Sequence, residues 1–169
     1  HRIVCYLGGL AEIKGIFPLI KAIRMLQKTY PTLRVLMPNG VVPAARSRGR
    51  TLARRILASI GLEQDYQRAA RHIADYGLES TIVRRPFTSR ILPLIASSEF
   101  LVFPSVRPHF ARPVVEAAVM GKPTVGSDLS GVRELIDDGL TGMLVVPDDA
   151  NTLAASMAAM LGDPERAMR

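Results

Sequence analysis

Short apolar runs alternate with segments of helical spacing along most of this chain. The apolar runs cover residues 3–7, 33–37, 81–83, 100–103, 124–125 and 143–146. The helical segments cover residues 17–26, 52–60, 66–76, 91–96, 114–120 and 152–161. Continuous apolar strands separated by helices are typical of a parallel sheet buried on both faces. The pattern therefore predicts an α/β fold, a doubly wound, Rossmann-like parallel sheet of about six strands with helices on both faces.

The length of 169 residues suits a single domain, and 48% apolar with 22% charged residues is typical of a globular protein. No apolar run approaches the length of a membrane-spanning helix. The one cysteine, Cys5, excludes an internal disulfide and favours a reducing compartment, so we expect a cytoplasmic protein. Because the chain starts at His1 and its first strand follows almost at once, we expect a piece of a longer protein.

A large share of the net charge of +7 comes from five arginines that lie close together with no acid among them: Arg46, Arg48, Arg50, Arg54 and Arg55. Such a surface attracts the phosphates of nucleotides, nucleic acids or lipid headgroups. A peripheral contact with an anionic membrane, at its inner face, is one interpretation, and a solvated basic loop is the other. The chain has no motif that reads bases, so we expect no nucleic-acid partner.

Ligands of open parallel sheets bind outside the carboxyl ends of the strands. After the first strand come Gly8, Gly9 and Lys14, followed by an amphipathic helix. Glycines allow close backbone approach, and a helix start with a lysine suits a phosphate. The alternative is a tight turn with a surface lysine, since the stretch is neither G-x-G-x-x-G nor a P-loop.

Two other loops at this predicted edge are less specific. Pro38-Asn39-Gly40 is a turn signature that either lines a pocket or reverses the chain. The stretch from Arg84 to Phe87 places two cations and an aromatic ring after the third strand, where they either hold a base or form a packed loop with solvated arginines.

The loop after residue 103 leads into a helix that carries a lone acid, Glu116, near Arg107, His109 and Arg112. Ionised carboxylates are seldom buried without a partner. Glu116 therefore either accepts hydrogen bonds from ligand hydroxyls beside an anion site, or pairs with an arginine and favours its own helix start.

A third loop, from Ser130 to Ile136, repeats this arrangement, with small residues before a short helix and an acid, Glu134, predicted in its first turn. Three helix starts along one edge suit a ligand with several negative charges and sugar hydroxyls. A nucleotide diphosphate sugar combines both.

The segment from Phe100 to Pro147 resembles the C-terminal donor-binding domain of retaining glycosyltransferases of family 4, also called glycosyl transferases group 1, which have the two-domain GT-B fold. The resemblance rests on Phe103-Pro104-Ser105, His109-Phe110-Ala111-Arg112-Pro113-Val114-Val115-Glu116-Ala117, Gly121-Lys122-Pro123-Thr124-Val125, Ser127-Asp128, Gly131, Glu134-Leu135-Ile136, Asp138-Gly139 and Thr141-Gly142. It extends over nearly the whole chain, from Tyr6-Leu7-Gly8 to Asp163-Pro164.

The resemblance implies transfer of a sugar from a nucleotide diphosphate sugar to a glycan or lipid-linked acceptor, with retention of configuration. Glu116 matches the second acid of the E-x7-E motif, which binds the ribose, and Lys14 matches a diphosphate-binding lysine. The backbone from Phe110 through Ala111 and Arg112 would face the diphosphate and sugar, and the Arg84 to Phe87 stretch would neighbour the base. No metal is expected, because no D-x-D sequence occurs and the family generally works without one. No cofactor is expected either, since the nucleotide diphosphate sugar is the donor substrate.

Two positions depart from the pattern. Pro108 stands where the first acid of E-x7-E would fall, and Gly9 stands where a phosphate-binding arginine would fall. One hypothesis is that Arg107, His109 or Arg112 substitutes for the missing cation, with Lys14 and Arg112 stabilising the leaving group. The alternative is a non-catalytic relative that binds a nucleotide sugar or a partner. Because the N-terminal acceptor domain is absent, we expect the fragment alone to be inactive.

Overall fold

The computed structural model describes residues 1–38 and 62–163, with side chains in the second range from residue 65 onward. Its strands are β1 (Arg2–Cys5), β2 (Leu33–Pro38), β3 (Ile82–Arg85), β4 (Phe100–Phe103), β5 (Thr124–Ser127) and β6 (Gly142–Val145). Its helices are α1 (Ile16–Leu26), α2 (Leu62–Asp75), α3 (Leu92–Ala96), α4 (Arg112–Val119), α5 (Ser130–Arg133) and α6 (Ala150–Gly162). The helix predicted at 52–60, the basic stretch from Arg46 to Arg55, and Asn39-Gly40 lie outside the described residues.

The described strands form one parallel sheet in the order β3-β2-β1-β4-β5-β6. Val4 in β1 is in register with Val35 of β2 on one side and with Phe100 of β4 on the other. The chain winds outward in one direction from β1 and in the opposite direction from β4. The carboxyl ends of β1 and β4 therefore flank the topological switch point, where such sheets bind ligands.

The sheet separates two apolar layers. One contains Leu19 and Ile23 of α1, Ile73 of α2 and Met157 of α6. The other is smaller and includes Ile95 of α3 together with side chains of α4 and α5. Strand β4 serves both layers, since Phe100 and Val102 belong to the first and Leu101 and Phe103 to the second. Side chains alternate along a strand, so a continuously apolar strand can fill both faces.

The predicted α/β fold is confirmed, with differences at some element ends. Strand β1 ends at Cys5 rather than at Leu7, and the buried Tyr6 ring just beyond it lies against Gly8. The last helix takes its N-cap from Asp149, whose carboxylate accepts from two backbone N–H groups. None of the described helices is long and apolar enough to span a bilayer.

The prediction of an acid in the first turn of the Ser130 helix is wrong. Helix α5 has only four residues and ends at Arg133, so Glu134 lies beyond it. The neighbouring arginine instead folds back on the preceding loop, where Arg133 donates to both carboxylate oxygens of Asp128 at 2.6 Å. This segment is held by its own ion pair and does not repeat the arrangement around Glu116.

Candidate functional site

The loops after β1 and β4 are tied together at the switch point. Gly15 has a φ of 78°, and a Cβ atom there would lie 1.7 Å from the carbonyl oxygen of Pro104. Ser105 Oγ donates to the carbonyl of Ile13 at 3.0 Å, and the N–H of Val106 donates to the same carbonyl at 3.2 Å. Lys14, between Ile13 and Gly15, is therefore held beside the loop that leads into α4.

Lys14 ends a short 3₁₀ helix, Glu12–Lys14, and its side chain is half-buried. Burial lowers the pKa of its amine, because removing water disfavours the charged form. No carboxylate in the described part of the chain lies within ion-pair distance of it. An incompletely hydrated cation without a counter-charge attracts an anion, so the position fits the phosphate role that the sequence suggests.

The two glycines after β1 have a structural reason to be glycine. A Cβ atom on Gly8 would lie 2.3 Å from the hydroxyl oxygen of buried Tyr6, which donates to the carbonyl of Lys14 at 3.1 Å. Gly9 has a φ of 66°, in the left-handed region that favours glycine. Both glycines shape the loop that carries Lys14, whether or not a ligand contacts their backbone.

The start of α4 exposes a set of unpaired backbone donors. The N–H groups of Phe110, Ala111 and Arg112 donate to no atom of the described residues. Pro113 has no N–H, and the N–H of Val114 donates to the carbonyl of Ala111 at 2.9 Å. Successive free N–H groups at a helix N-terminus carry partial positive charge and form a ready anion site.

Glu116 lies one turn inside α4, and its two carboxylate oxygens differ. Oε1 lies 3.3 Å from Nε of Arg112, whose side chain is 72% exposed. Oε2 is buried and has no hydrogen-bond partner. A buried carboxylate oxygen without a donor is energetically costly, and a small rotation of the partly exposed side chain that brought Oε2 to a ligand hydroxyl would satisfy it. The arginine pairing considered from the sequence is present, but it uses only one of the two oxygens.

His109 is held by contacts that the sequence did not reveal. Its Nδ1 lies 3.0 Å from Ser105 Oγ and 3.1 Å from the carbonyl oxygen of Arg107. Its ring packs against Phe103 with 5.2 Å between ring centroids. Ser105, which is almost fully buried, is the residue that sequence reasoning missed. The available signal was a small polar residue two positions after the end of a fully buried strand.

The structure brings together only part of the predicted set. Gly8, Gly9 and Lys14 follow β1, and the residues from His109 to Glu116 follow the adjacent strand β4. Arg84 lies instead in the edge strand β3. Strand β2 lies between β3 and β1, so β3 and β1 are roughly 10 Å apart. Phe87 beyond it is 75% exposed. Their role beside a base stays a prediction.

A cavity of about 240 Å³ lies away from this site. It is lined by Val114 and Ala118 of α4, by Lys122 and by Leu140, and it includes Thr124 at the start of β5. It is therefore at the amino ends of the strands, opposite the switch point. In the described part of the chain, no group of three or more histidine, cysteine, aspartate or glutamate residues is arranged to hold a metal ion.

The fold and the site together define a doubly wound domain whose topological switch point carries free backbone N–H groups, a half-buried lysine and a carboxylate oxygen without a donor among the described residues. Sequence comparison gives its family, because the family described as glycosyl transferases group 1 matches residues 1–169. The chain belongs to the glycosyl transferases group 1 family, which confirms the resemblance at the level of that group. The Rossmann-like fold is also that of GT-B glycosyltransferases of known structure.

Relatives of known activity include the glycogen synthase of Mycobacterium tuberculosis (strain CDC 1551 / Oshkosh), 30% identical over 167 residues, which are 97% of this chain and 35% of that protein. The D-inositol 3-phosphate glycosyltransferase of Corynebacterium kroppenstedtii is 26% identical over 166 residues, 97% of this chain and 34% of that protein. The chain spans about a third of the length of these relatives.

Solved structures share the fold. Anabaena Alr3699/HepE in complex with UDP-glucose superposes with a TM-score of 0.78 at 24% identity, covering 98% of this chain and 40% of that one. The C-terminal domain of a glycosyl transferase group 1 family protein (LpcC) from Francisella tularensis superposes with a TM-score of 0.72 at 20% identity, covering 99% of this chain and 78% of that one.

Proposed function

We propose that this chain is the donor-binding domain of a retaining glycosyltransferase of family 4, the C-terminal half of a longer two-domain protein. The donor is a nucleotide diphosphate sugar, and the acceptor is a glycan or a lipid-linked glycan. The unpartnered, buried Oε2 of Glu116 carries the proposal. Glu116 lies one turn behind the free N–H groups, and the loop that leads into its helix contacts the loop of Lys14, a lysine without a counter-charge in the described part of the chain. This arrangement of charge is complementary to a nucleoside diphosphate.

The ribose and the diphosphate of the donor each have a matching group on this chain. The ribose hydroxyls donate to the Glu116 carboxylate, and the diphosphate lies at the N–H groups of Phe110, Ala111 and Arg112. Lys14 supplies a full positive charge from the neighbouring loop. The UDP-glucose complex of Alr3699/HepE, which shares the fold, supports a donor of this class.

The same groups stabilise the leaving group. When the bond between the sugar and the diphosphate breaks, negative charge grows on the released phosphate oxygen. Lys14 and the helix N–H groups are already positioned for an anion, so they stabilise that charge with little reorganisation. Arg112 would add a second cation if it moved from Glu116 to the phosphates, since its side chain is largely exposed.

Calorimetric titration with UDP, ADP and GDP tests the site. Glu116→Ala and Lys14→Ala should each weaken binding of the preferred nucleotide about 10- to 100-fold, as expected for hydrogen bonds to charged groups. Glu134→Ala and Lys122→Ala are matched controls, because one lies beyond α5 and the other lines the distant cavity. Equal affinities in all four variants and the wild type would contradict the site assignment.

Turnover needs the longer protein. We propose that an N-terminal acceptor domain completes the site across a cleft, so this chain alone should bind the donor without transferring its sugar. The assay is release of nucleoside diphosphate with and without that domain. Turnover by this chain alone would contradict the two-domain proposal, and donor binding without turnover by the longer protein would favour the non-catalytic alternative.

A further inference from the structure

The hydrogen bonds around His109 define which ring nitrogen carries the proton in the neutral side chain. Nδ1 faces the carbonyl oxygen of Arg107, which only accepts, and Ser105 Oγ. The Ser105 hydroxyl has carbonyl acceptors of its own, Ile13 at 3.0 Å and Arg107 at 2.9 Å. The single Ser105 hydrogen can go to only one of these carbonyls at a time. The arrangement favours the tautomer with the hydrogen on Nδ1, which can then donate to the Arg107 carbonyl or to Ser105 Oγ, because an unprotonated Nδ1 would face the Arg107 carbonyl lone pair.

The other ring nitrogen, Nε2, is then an unprotonated acceptor. Nε2 makes no hydrogen bond with any described residue. It is also accessible to solvent, because Glu116 Oε2 is the one buried side-chain nitrogen or oxygen without a hydrogen-bond partner among the described residues. The ring itself is fixed by Phe103 and Ser105. His109 therefore holds an acceptor at a set position at the mouth of the switch point.

The order of parts along a nucleotide sugar indicates what this acceptor meets. Glu116 lies inside α4, the free N–H groups lie at its start, and His109 directly precedes them. With the ribose at Glu116 and the diphosphate at the N–H groups, the sugar lies on the far side of the diphosphate, beside the loop before α4. Pro108 in that loop offers no side-chain acceptor, although an acid is expected there from the E-x7-E pattern.

We propose that His109 Nε2 accepts a hydrogen bond from a hydroxyl of the donor sugar and thereby selects sugar-bearing nucleotides over free ones. This inference rests on the proposed function, and it assigns to His109 a contact for which Pro108 has no acceptor. Ser105 and Arg107 are the positioning residues, since they hold the ring through Nδ1.

Two substitutions separate this contact from loop structure. In His109→Asn, the side-chain amide can replace Nδ1–H towards Ser105 and Arg107 but has no atom at the place of Nε2. In His109→Gln, the longer amide can place an oxygen acceptor near the position of Nε2. Calorimetry on this chain compares each nucleotide with its sugar conjugate, using the pairs UDP and UDP-glucose, ADP and ADP-glucose, and GDP and GDP-mannose.

For the pair that the wild type binds, His109→Asn should weaken the sugar conjugate about three- to tenfold and leave the free nucleotide unchanged. His109→Gln should recover most of the loss. Equal loss for both members of the pair, no loss with His109→Asn, or no recovery with His109→Gln would overturn the inference and leave the proposed function intact. Failure of the wild type to bind any pair would refute the proposed function itself.

Discussion

The Glu116 carboxylate shows how one side chain can serve the fold and the ligand at once. Oε1 forms an ion pair with the Arg112 guanidinium one helical turn away, and Oε2 is buried without a hydrogen-bond donor from any described residue. A pair with an exposed arginine is weak, because water screens it. Glu116 therefore gains little from its ion pair. A rotation of its side chain that brought Oε2 to a ligand hydroxyl would relieve a desolvation cost already present in the free protein.

For single residues, the sequence predicted which side chains follow the strand ends better than it predicted their contacts and burial. Lys14 and Glu116 lie beyond the ends of β1 and β4, as the sequence predicted, and their roles toward a phosphate and a hydroxyl stay predictions. The Ser105 contacts could not be predicted from the sequence, because the Ser105–Ile13 hydrogen bond joins residues 92 positions apart and depends on how two loops pack together. Burial of Oε2 likewise depends on packing that no local pattern encodes.

The lowered pKa of Lys14 predicts an alkaline limit to donor affinity. A folded-state pKa below the ordinary 10.5 means that the amine loses its charge earlier than an exposed lysine, so nucleoside diphosphate affinity should fall as the pH rises through that lowered value. The diphosphate is fully ionised above about pH 8, so its own titration does not interfere. The measurement is the dissociation constant as a function of pH.

Lys14→Arg is the control for this pH dependence. A guanidinium keeps its charge over the whole range, so the alkaline fall should disappear even if the affinity at neutral pH changes. For folding, the unfolded chain binds the proton more tightly. The stability contribution of Lys14 is therefore constant at low pH and rises only between the lowered folded-state pKa and the ordinary value of 10.5. An unchanged alkaline fall in the arginine variant would contradict the assignment.

At the level of elements, the site depends on one close contact between two loops. The loops after β1 and β4 approach until Gly15 touches the Pro104 carbonyl, and backbone and side-chain hydrogen bonds to Ile13 fix that approach. The sequence predicted the strands on either side and the helix starts that follow them. It also predicted a third such helix start at Ser130, wrongly, because α5 ends before Glu134.

Gly15→Ala tests the contact between the loops. The added methyl must occupy a left-handed φ and meet the Pro104 carbonyl oxygen at 1.7 Å, so the loops must separate. We expect a loss of more than about 2 kcal/mol in the free energy of unfolding, together with weaker nucleotide binding. Urea denaturation measures the first effect and calorimetry the second.

Gly77→Ala is a matched comparison. Gly77 has a φ of 63°, but a Cβ atom there would meet nothing within 4 Å. This variant carries only the backbone strain, about 1 kcal/mol, and should bind nucleotide normally. If both variants lost the same free energy of unfolding, the contact between Gly15 and Pro104 would not stabilise the site.

At the scale of the whole molecule, one sheet joins two apolar layers with different roles. The layer with α1, α2 and α6 contains most of the apolar core, and the layer with α3, α4 and α5 carries the helix of Glu116. Because β4 contributes alternate side chains to both layers, neither can lose its packing without exposing the other face of the same strand. The described domain should therefore unfold as one cooperative unit.

The tyrosines make this coupling measurable. The chain has four tyrosines and no tryptophan. Tyr6 belongs to the larger layer, and Tyr30, Tyr66 and Tyr76 pack against it. Tyrosine fluorescence therefore reports the larger layer, and far-UV circular dichroism reports the helices of both.

Ile95→Ala removes a buried side chain from the smaller layer, and Met157→Ala removes one from the larger layer. Each should cost about 2–5 kcal/mol, from lost transfer free energy and the cavity left behind. With cooperative coupling, Ile95→Ala should lower the urea midpoint of tyrosine fluorescence as far as that of circular dichroism, although none of the four tyrosines belongs to its layer. Met157→Ala should move both signals in any case. An unchanged fluorescence midpoint in Ile95→Ala would show that the layer carrying Glu116 opens independently, and nucleotide would then stabilise that layer alone.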